Sequence, residues 1–316
     1  MFLHIPFLCY TFLMKKIHEV KFHTGSKEEL LPGFTKEFPY ISSRAELDKF
    51  PGQITPWHWH RALEIFYIER GTLEYSTPHQ TLLFPPGSGG VTNSNVLHMS
   101  RLAEGSGENV QFVHLFDTSF LAGEAGSLIE QKYFTPVTSD SYFEMLPLFP
   151  TNPQQKELLG KIRDSFLLPD SVFGYEIKVR EKLSEIWLAL LEQIHPLLSS
   201  DYSPNKNNAK LKSMLVYIHE HYGEKIAIPA LAASAYLSER ECFRVFREYL
   251  HTTPAEYIRD YRLQIACQML TKESLPITEI AIACGLGNSS YFGKVFREQL
   301  HCTPSQYREK WQDFTI

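Results

Sequence analysis

Two sets of side chains in this sequence have types and spacing suited to chemistry. The first is His58, His60 and Glu64, with His98 further along. Imidazole nitrogens and a carboxylate can hold a divalent transition metal, or they can hydrogen-bond the hydroxyls of a polar ligand. Trp57, Trp59 and Phe66 lie among them, and aromatic faces pack well on sugar rings. The second set is Arg240, Phe243, Arg244 and Arg247. Arginine has the fork that fits the guanine edge, and phenylalanine can touch a thymine methyl. Fifty residues later the matching positions hold Ser289, Ser290, Gly293 and Lys294, with Arg297 nearby. This smaller, less charged set suits positioning and phosphate contact more than base discrimination.

The elements that must position the second set announce themselves as a repeat. VFREYLHTTPAEY (245–257) returns as VFREQLHCTPSQY (295–307), with nine of thirteen positions identical. A repeat means one structural unit used twice. Upstream, Ile228, Leu231, Ala232 and Ala235 are spaced as one helix face, and so are Ile277, Ile280, Ala281 and Cys284. A tight break follows each, with Gly285 suited to a left-handed turn. Then comes a second helix, predicted over 239–250 in the first copy, with Cys242, Val245, Phe246 and Tyr249 inward. Ser238 and Glu241 read as a capping box, and third helices start at Thr253-Pro254 and Thr303-Pro304. The helix from Pro254 to about Thr271 should hold two helix-turn-helix units rigidly apart. Two second helices could then enter neighbouring major grooves about 34 Å apart.

Residues 208–312 resemble the DNA-binding domain of the AraC/XylS family of bacterial transcription regulators. The resemblance rests on Gly285-Leu286, Ser290-Tyr291-Phe292, Phe296-Arg297, Thr303-Pro304 and Tyr307, with Leu286 where the family usually has Phe. It implies that Arg240, Phe243 and Arg244 occupy groove-facing positions.

The first set calls for strands. LEIFYIER (63–70), LEYS (73–76), TLLFPP (81–86) and VQFVHLF (110–116) are short apolar runs of the kind that build a β-barrel or sandwich. Alternate residues of a strand share a face, so His58, His60, Glu64, Phe66 and Ile68 are expected on one face, pointing into the barrel. The spacing Gly52-x5-His58-x-His60-x3-Glu64-x6-Gly71 resembles the first metal-binding motif of cupin barrels. The second cupin motif is stretched: Pro85-x-Gly87 is followed late by Asn95-x-x-His98. The preferred reading is an effector pocket without metal. A divalent metal held by His58, His60, Glu64 and His98, and histidines that only hydrogen-bond within the barrel, are the alternatives. Downstream, Leu183, Trp187, Leu190 and Ile194 form a short a/d seam. The family resemblance makes that seam a candidate dimer interface.

The expected architecture is therefore two-domain α+β. It comprises an apolar extension over 1–20, a cupin-like effector-binding and dimerisation domain over 21–198, a linker over 199–207, and an all-α domain of two helix-turn-helix units over 208–316. The apolar run at the N-terminus is too short to span a bilayer, and Met14 reads as the natural start. Net charge is −5, with 13 Lys+Arg against 12 Asp+Glu in residues 208–316 and 18 against 24 before them. DNA affinity must then rest on a few placed arginines and not on bulk charge. None of the five cysteines forms a C-x-x-C pair, which argues against a zinc or redox motif and fits a reducing cytoplasm. The partners implied are double-stranded DNA, a small-molecule effector such as a sugar, a second copy of the chain, and RNA polymerase for an activator. The rival from another class is a metal-dependent cupin enzyme, an oxygenase or isomerase, with a helical appendage.

Overall fold

The structure is a computed structural model that describes residues 15–17, 19–23, 28–140, 142–198, 206–250 and 252–312. The apolar run 1–13 lies outside the described residues. So does the expected linker, except for its last two residues, which already belong to a helix.

Among the described residues the chain first builds ten strands. They are β1 (Lys15–Ile17), β2 (Tyr40–Ala45), β3 (Ile54–His58), β4 (Leu63–Arg70), β5 (Leu73–Thr77), β6 (Gln80–Phe84), β7 (Gly89–Thr92), β8 (His98–Leu102), β9 (Val110–Phe116) and β10 (Met145–Leu148). Three short helices, α1 (Thr118–Ala122), α2 (Leu128–Tyr133) and α3 (Thr135–Thr138), precede β10. One sheet has the order β1-β2-β9-β4-β7-β10, the other β3-β8-β5-β6. The first strand falls inside the expected N-terminal extension. Residues 15–17 pair in parallel with β2 and close that edge of the sheet.

Strand β4 shows how two layers form. Its odd residues Leu63, Ile65 and Tyr67 join a core shared with the helices. Its even residues Phe66 and Ile68 join Leu73, Tyr75, Phe84, Val113 and Leu115 between the two sheets. The helices covering the outer face are α4 (Pro153–Ser165) and α5 (Tyr175–Ile194). Asn152 caps α4, accepting from the Gln154 and Gln155 N–H groups. The a/d seam of α5 is an internal face. Leu183, Trp187, Leu190 and Ile194 are all buried against the sheet and the short helices, and Trp187 stacks on Phe134 at 4.9 Å. The period that suggested a coiled-coil seam is the period of any helix laid on a core.

Seven helices follow: α6 (Lys206–His221), α7 (Ile228–Ser234), α8 (Glu239–Leu250), α9 (Pro254–Lys272), α10 (Ile277–Ala283), α11 (Ser289–Leu300) and α12 (Pro304–Gln312). The long helix α9 divides its faces between two cores. Tyr257, Ile258 and Tyr261 pack with α6, α7 and α8, while Leu263, Ala266, Cys267 and Leu270 pack with α10 and α11. Its capping box is complete: the Thr253 hydroxyl accepts from the Glu256 N–H, and the Glu256 carboxylate accepts from the Thr253 N–H. Thr303 and Gln306 repeat the arrangement at α12. Burial pushes the Cys267 and Cys284 thiols up to about 12, so both behave as small hydrophobes. No helix among the described residues is long and apolar enough to cross a membrane.

Both helix-turn-helix breaks use the same left-handed hairpin. Tyr236 and Gly285 have φ of 56° and 67°, and the next N–H returns to Ala232 O and Ala281 O at 2.9 Å. The second turn is one residue longer, with Gly287 inserted before the Asn288 cap. Tyr236 tolerates its φ in the open, whereas Gly285 has no room for a side chain. A Cβ there would lie 2.4 Å from Tyr222 O and 3.0 Å from the Arg262 guanidinium. Gly285→Ala is therefore expected to destabilise the helical domain by about 2 kcal/mol or more, combining left-handed strain with a backbone clash. The measurement is the midpoint of denaturant unfolding followed by helical circular dichroism.

Candidate functional site

The barrel site is assembled from both sheets. His58 ends β3 and His98 opens β8, and the two are opposed partners in the ladder. His60 lies in the turn after β3, and Glu64 is the second residue of β4. The expected single strand is thus corrected. The chain turns at 59–62 and passes from the four-stranded sheet to the six-stranded one. The shared facing survives because the β3–β8 ladder slips between Thr55 and His58. Ile54, opposite Arg101, borders a cleft toward the helices, while His58, opposite His98, turns between the sheets like the even-numbered residues of β4. Asn95, with φ of 59°, pins the turn by donating its N–H to His60 O at 2.8 Å.

All three imidazoles and Glu64 are buried. Each imidazole places Nδ1 on a backbone carbonyl: His58 on Pro56 O at 2.7 Å, His60 on Ala62 O at 2.9 Å, and His98 on Val96 O at 2.9 Å. A carbonyl oxygen only accepts, so each Nδ1 carries the hydrogen, and in a neutral ring Nε2 is then the lone-pair nitrogen. The hydrogen bond from His60 Nε2 to the Glu64 carboxylate, by contrast, needs a second hydrogen and makes His60 the protonated ring of the pair. His60 Nε2 lies 3.2 Å from Glu64 Oε2, and His98 Nε2 lies 3.6 Å from the same oxygen. His98 Nε2 is buried with no hydrogen-bond partner among the described residues. The three histidines offer nitrogens that all lie within 4.8 Å of one another.

The charges balance locally. Burial alone would raise the Glu64 carboxyl, but the His60 hydrogen bond and the charges of His98 and His60 outweigh it and hold it below its ordinary value. Burial would lower His60, yet the Glu64 hydrogen bond and the Glu29 and Glu64 charges raise it. His98 is driven well down by burial and by the His58 charge. Two neighbours belong to this site that sequence reasoning missed. Glu29 approaches His58 Nε2 at 3.7 Å, and its carboxyl is pushed up to about 7, first by burial. Tyr75 donates its hydroxyl to Glu64 Oε1 at 3.1 Å and stacks its ring on His98. Glu29 lies outside any motif, and only the fold brings it in. Tyr75 carried a signal, being an aromatic at an inward-facing strand position.

Phe66 stacks on Tyr75 at 4.9 Å and backs the site from the core without facing a ligand space of its own. Trp57 and Trp59 face out of the barrel. Trp59 and Leu97 belong to the core of α6, α7 and α8, and Trp57 packs against it. Trp57 also borders a cleft of about 400 Å³ between barrel and helices, with Arg101, Tyr257 and Asp260. These tryptophans are therefore placed to dock the helical part and not to pave the barrel interior.

On the helical side, Arg240, Phe243, Arg244 and Arg247 line a shallow depression on α8 together with Glu248. The buried residues Cys242, Val245, Phe246 and Tyr249 anchor the opposite face. Ser238 caps α8, its hydroxyl accepting from the Glu241 N–H at 3.3 Å. The Glu241 carboxylate, expected to complete the box, instead accepts from Arg244 at 2.8 Å, and Arg244 also pairs with Glu248. On α11, Ser289, Ser290, Lys294 and Arg297 are exposed, while Gly293 is partly buried with open space where a Cβ would stand. Tyr291, half exposed, joins this face. The repeat aligned it with Glu241, a residue already assigned to a cap, and so hid it.

Comparison with known proteins gives a consistent picture. Residues 40–191 match the AraC-like ligand binding domain, and residues 231–310 match a helix-turn-helix domain. The chain is 28% identical over 269 residues to the HTH-type transcriptional regulator YdeC of Bacillus subtilis (strain 168), covering 84% of this chain and 90% of that protein. It is 34% identical over 86 residues to the HTH-type transcriptional activator RhaS of Salmonella schwarzengrund (strain CVM19633), a match spanning 27% of this chain and 31% of RhaS. Among solved structures, unsaturated fatty acid bound ToxT from Vibrio cholerae strain SCE256 is similar with a TM-score of 0.44 at 13% identity, over 87% of this chain and 96% of that one.

Proposed function

Since this chain belongs to the AraC family of DNA-binding transcription regulators, we propose that it reads DNA through α8 and α11 under the control of an effector held in its N-terminal domain. The observation that carries the reading is the exposed face of Arg240, Phe243, Arg244 and Arg247 on a helix anchored by a buried apolar face. Helix α8 supplies most of the base contacts. Helix α11, with Ser289, Ser290, Gly293, Lys294 and Arg297, supplies position and phosphate contacts. The effector site is centred on His58, His60, Glu64 and His98. A sugar finds hydroxyl partners there, but Trp57 and Trp59 offer it no aromatic platform, because both face the helices. An activating role would add a contact with RNA polymerase. Selection of sequences from random duplex DNA by the purified chain tests the reading. Enrichment of a defined site supports it, and retention without sequence preference overturns it.

Dimerisation, if through α5, uses its outer face and not its buried seam. Ile177 and Leu188 lie eleven residues apart on that outer face, 75% and 58% exposed. Leu188→Arg is expected to halve the mass found by light scattering while leaving the fold intact. An unchanged dimer mass would place the interface elsewhere.

A further inference from the structure

The four-stranded sheet has an outer face that the histidine centre does not use. Along β5, Glu74 and Ser76 alternate with the inward Tyr75, and along β8, Met99 and Arg101 alternate with the inward His98. These outward side chains look toward the helices, where one face of α9 stands opposite. On that face Tyr257, Asp260, Tyr261, Gln264 and Cys267 recur at helical spacing. The two walls enclose the cleft of about 400 Å³ that Trp57 borders. Its size lies within the roughly 300–1,000 Å³ of small-molecule sites. Leu250, the last residue of α8, and Leu300, the last of α11, complete the lining. The barrel and both helix-turn-helix units thus meet around one space.

The charged groups of this lining are Glu74, Asp260 and Arg101. Arg101 Nε lies 3.7 Å from Glu74 Oε1, beyond hydrogen bonding, and its charge also acts on Asp260, so both carboxylates border the same corner of the cleft. Arg259 holds Asp260 through Oδ1 alone, at 2.9 Å from Nη2, and Oδ2 makes no hydrogen bond among the described residues. Desolvation raises the Asp260 carboxyl above its ordinary value although Arg259 and Arg101 oppose the rise, so the negative charge there is incompletely offset. Residues 1–207, which include the barrel wall, carry 18 Lys+Arg against 24 Asp+Glu, a balance that attracts cations. Beside the carboxylates the lining is apolar and aromatic, with Trp57, Met99, Tyr261 and Leu300. Aromatic faces attract a cation, and apolar side chains take up a hydrocarbon body.

We propose that this cleft is a ligand site distinct from the histidine centre, and that it takes an organic ammonium ion with an apolar, aromatic body. The ammonium sits at the corner shared by Glu74 and Asp260. The body lies along Trp57 and Tyr261. A ligand placed there touches the barrel, the connecting helix α9 and the end of each DNA-reading helix at once. The site stands whether or not the histidine centre holds an effector.

The test titrates the full chain by calorimetry with four probes: tryptamine, 2-phenylethylamine, the neutral tryptophol and the anionic indole-3-acetate. We expect both amines to bind at one site per chain, and tryptophol and indole-3-acetate to bind at least about tenfold more weakly than tryptamine, the loss of one charge-assisted contact. Asp260→Asn should weaken tryptamine by a similar factor while leaving tryptophol unchanged, and Glu74→Gln should act in the same direction. Both substitutions keep side-chain shape, and an unchanged thermal midpoint verifies the fold. Arg101→Gln should tighten tryptamine by removing the competing guanidinium. Absence of binding by both amines would overturn the site. Equal binding of tryptamine and tryptophol, or tighter binding of indole-3-acetate, would overturn the cation assignment. Tryptamine binding that is unaffected by both Asp260→Asn and Glu74→Gln would place the amine elsewhere and overturn the proposal.

Discussion

Arg240→Ala is expected to weaken binding to the preferred DNA site by about 1–3 kcal/mol, roughly 5- to 150-fold, and to blur one base position. Arg240 sits in the first turn of α8, where recognition helices approach base edges. No ion pair holds it among the described residues, so it enters the groove without breaking an existing contact. Arg244 stands differently. It is paired with Glu241 and Glu248 on its own helix, and truncating it leaves two carboxylates near the phosphates. Arg244→Ala should therefore lose affinity on specific and unrelated DNA alike, with less change in preference. Binding curves for both variants on the selected site and on a scrambled duplex separate the two. Uniform loss for Arg240→Ala would make it a phosphate contact.

Acid should unfold the N-terminal domain through His114. Its Nε2 lies 2.8 Å from Ser165 Oγ, which donates its own hydrogen to Ile162 O at 2.6 Å. Ser165 must therefore accept, so Nε2 carries the hydrogen and Nδ1 receives the Tyr40 hydroxyl at 2.8 Å. The neutral ring is fully satisfied, and it is stacked on Phe166 at 3.7 Å. Burial pushes its pKa down to about 3 from 6.5. The unfolded chain takes up a proton that the folded chain refuses between these values. The stabilisation is thus fully present above about pH 6.5 and is lost as pH falls toward 3. Between pH 7 and pH 4 the loss from this residue is on the order of 3 kcal/mol. His114→Gln should be less stable than wild type at pH 7 yet lose less on acidification. Denaturant midpoints of both proteins at the two pH values give the comparison. Parallel losses would show that carboxylates elsewhere dominate.

What the sequence made legible were features set by local pattern. The bounds of α8, β4 and β9 follow from side-chain period and caps, and the Thr-Pro starts of α9 and α12 from capping chemistry. The longer second turn was visible because Gly287 has no counterpart. What escaped reading depends on contacts far apart in the chain. The turn at 59–62 is invisible to parity, since a strand-to-strand crossing that keeps the inward face keeps the even numbering. Glu29 enters the histidine site only through the fold. The α5 seam looked free because periodicity says that a face is apolar, not what covers it. The outward facing of Trp57 and Trp59 was legible from alternation, but their partner, the helical domain, was not.

The most direct test of this account is a base-by-base preference profile of the purified wild-type chain on a fully varied duplex library, repeated with Arg240→Ala and Lys294→Ala. The account predicts two preferred segments centred about one helical turn apart, one much more strongly specified than the other. Arg240→Ala should flatten the stronger segment, and Lys294→Ala should weaken binding evenly across sequences. A single block of preference, or a stronger segment erased by Lys294→Ala and untouched by Arg240→Ala, would contradict it.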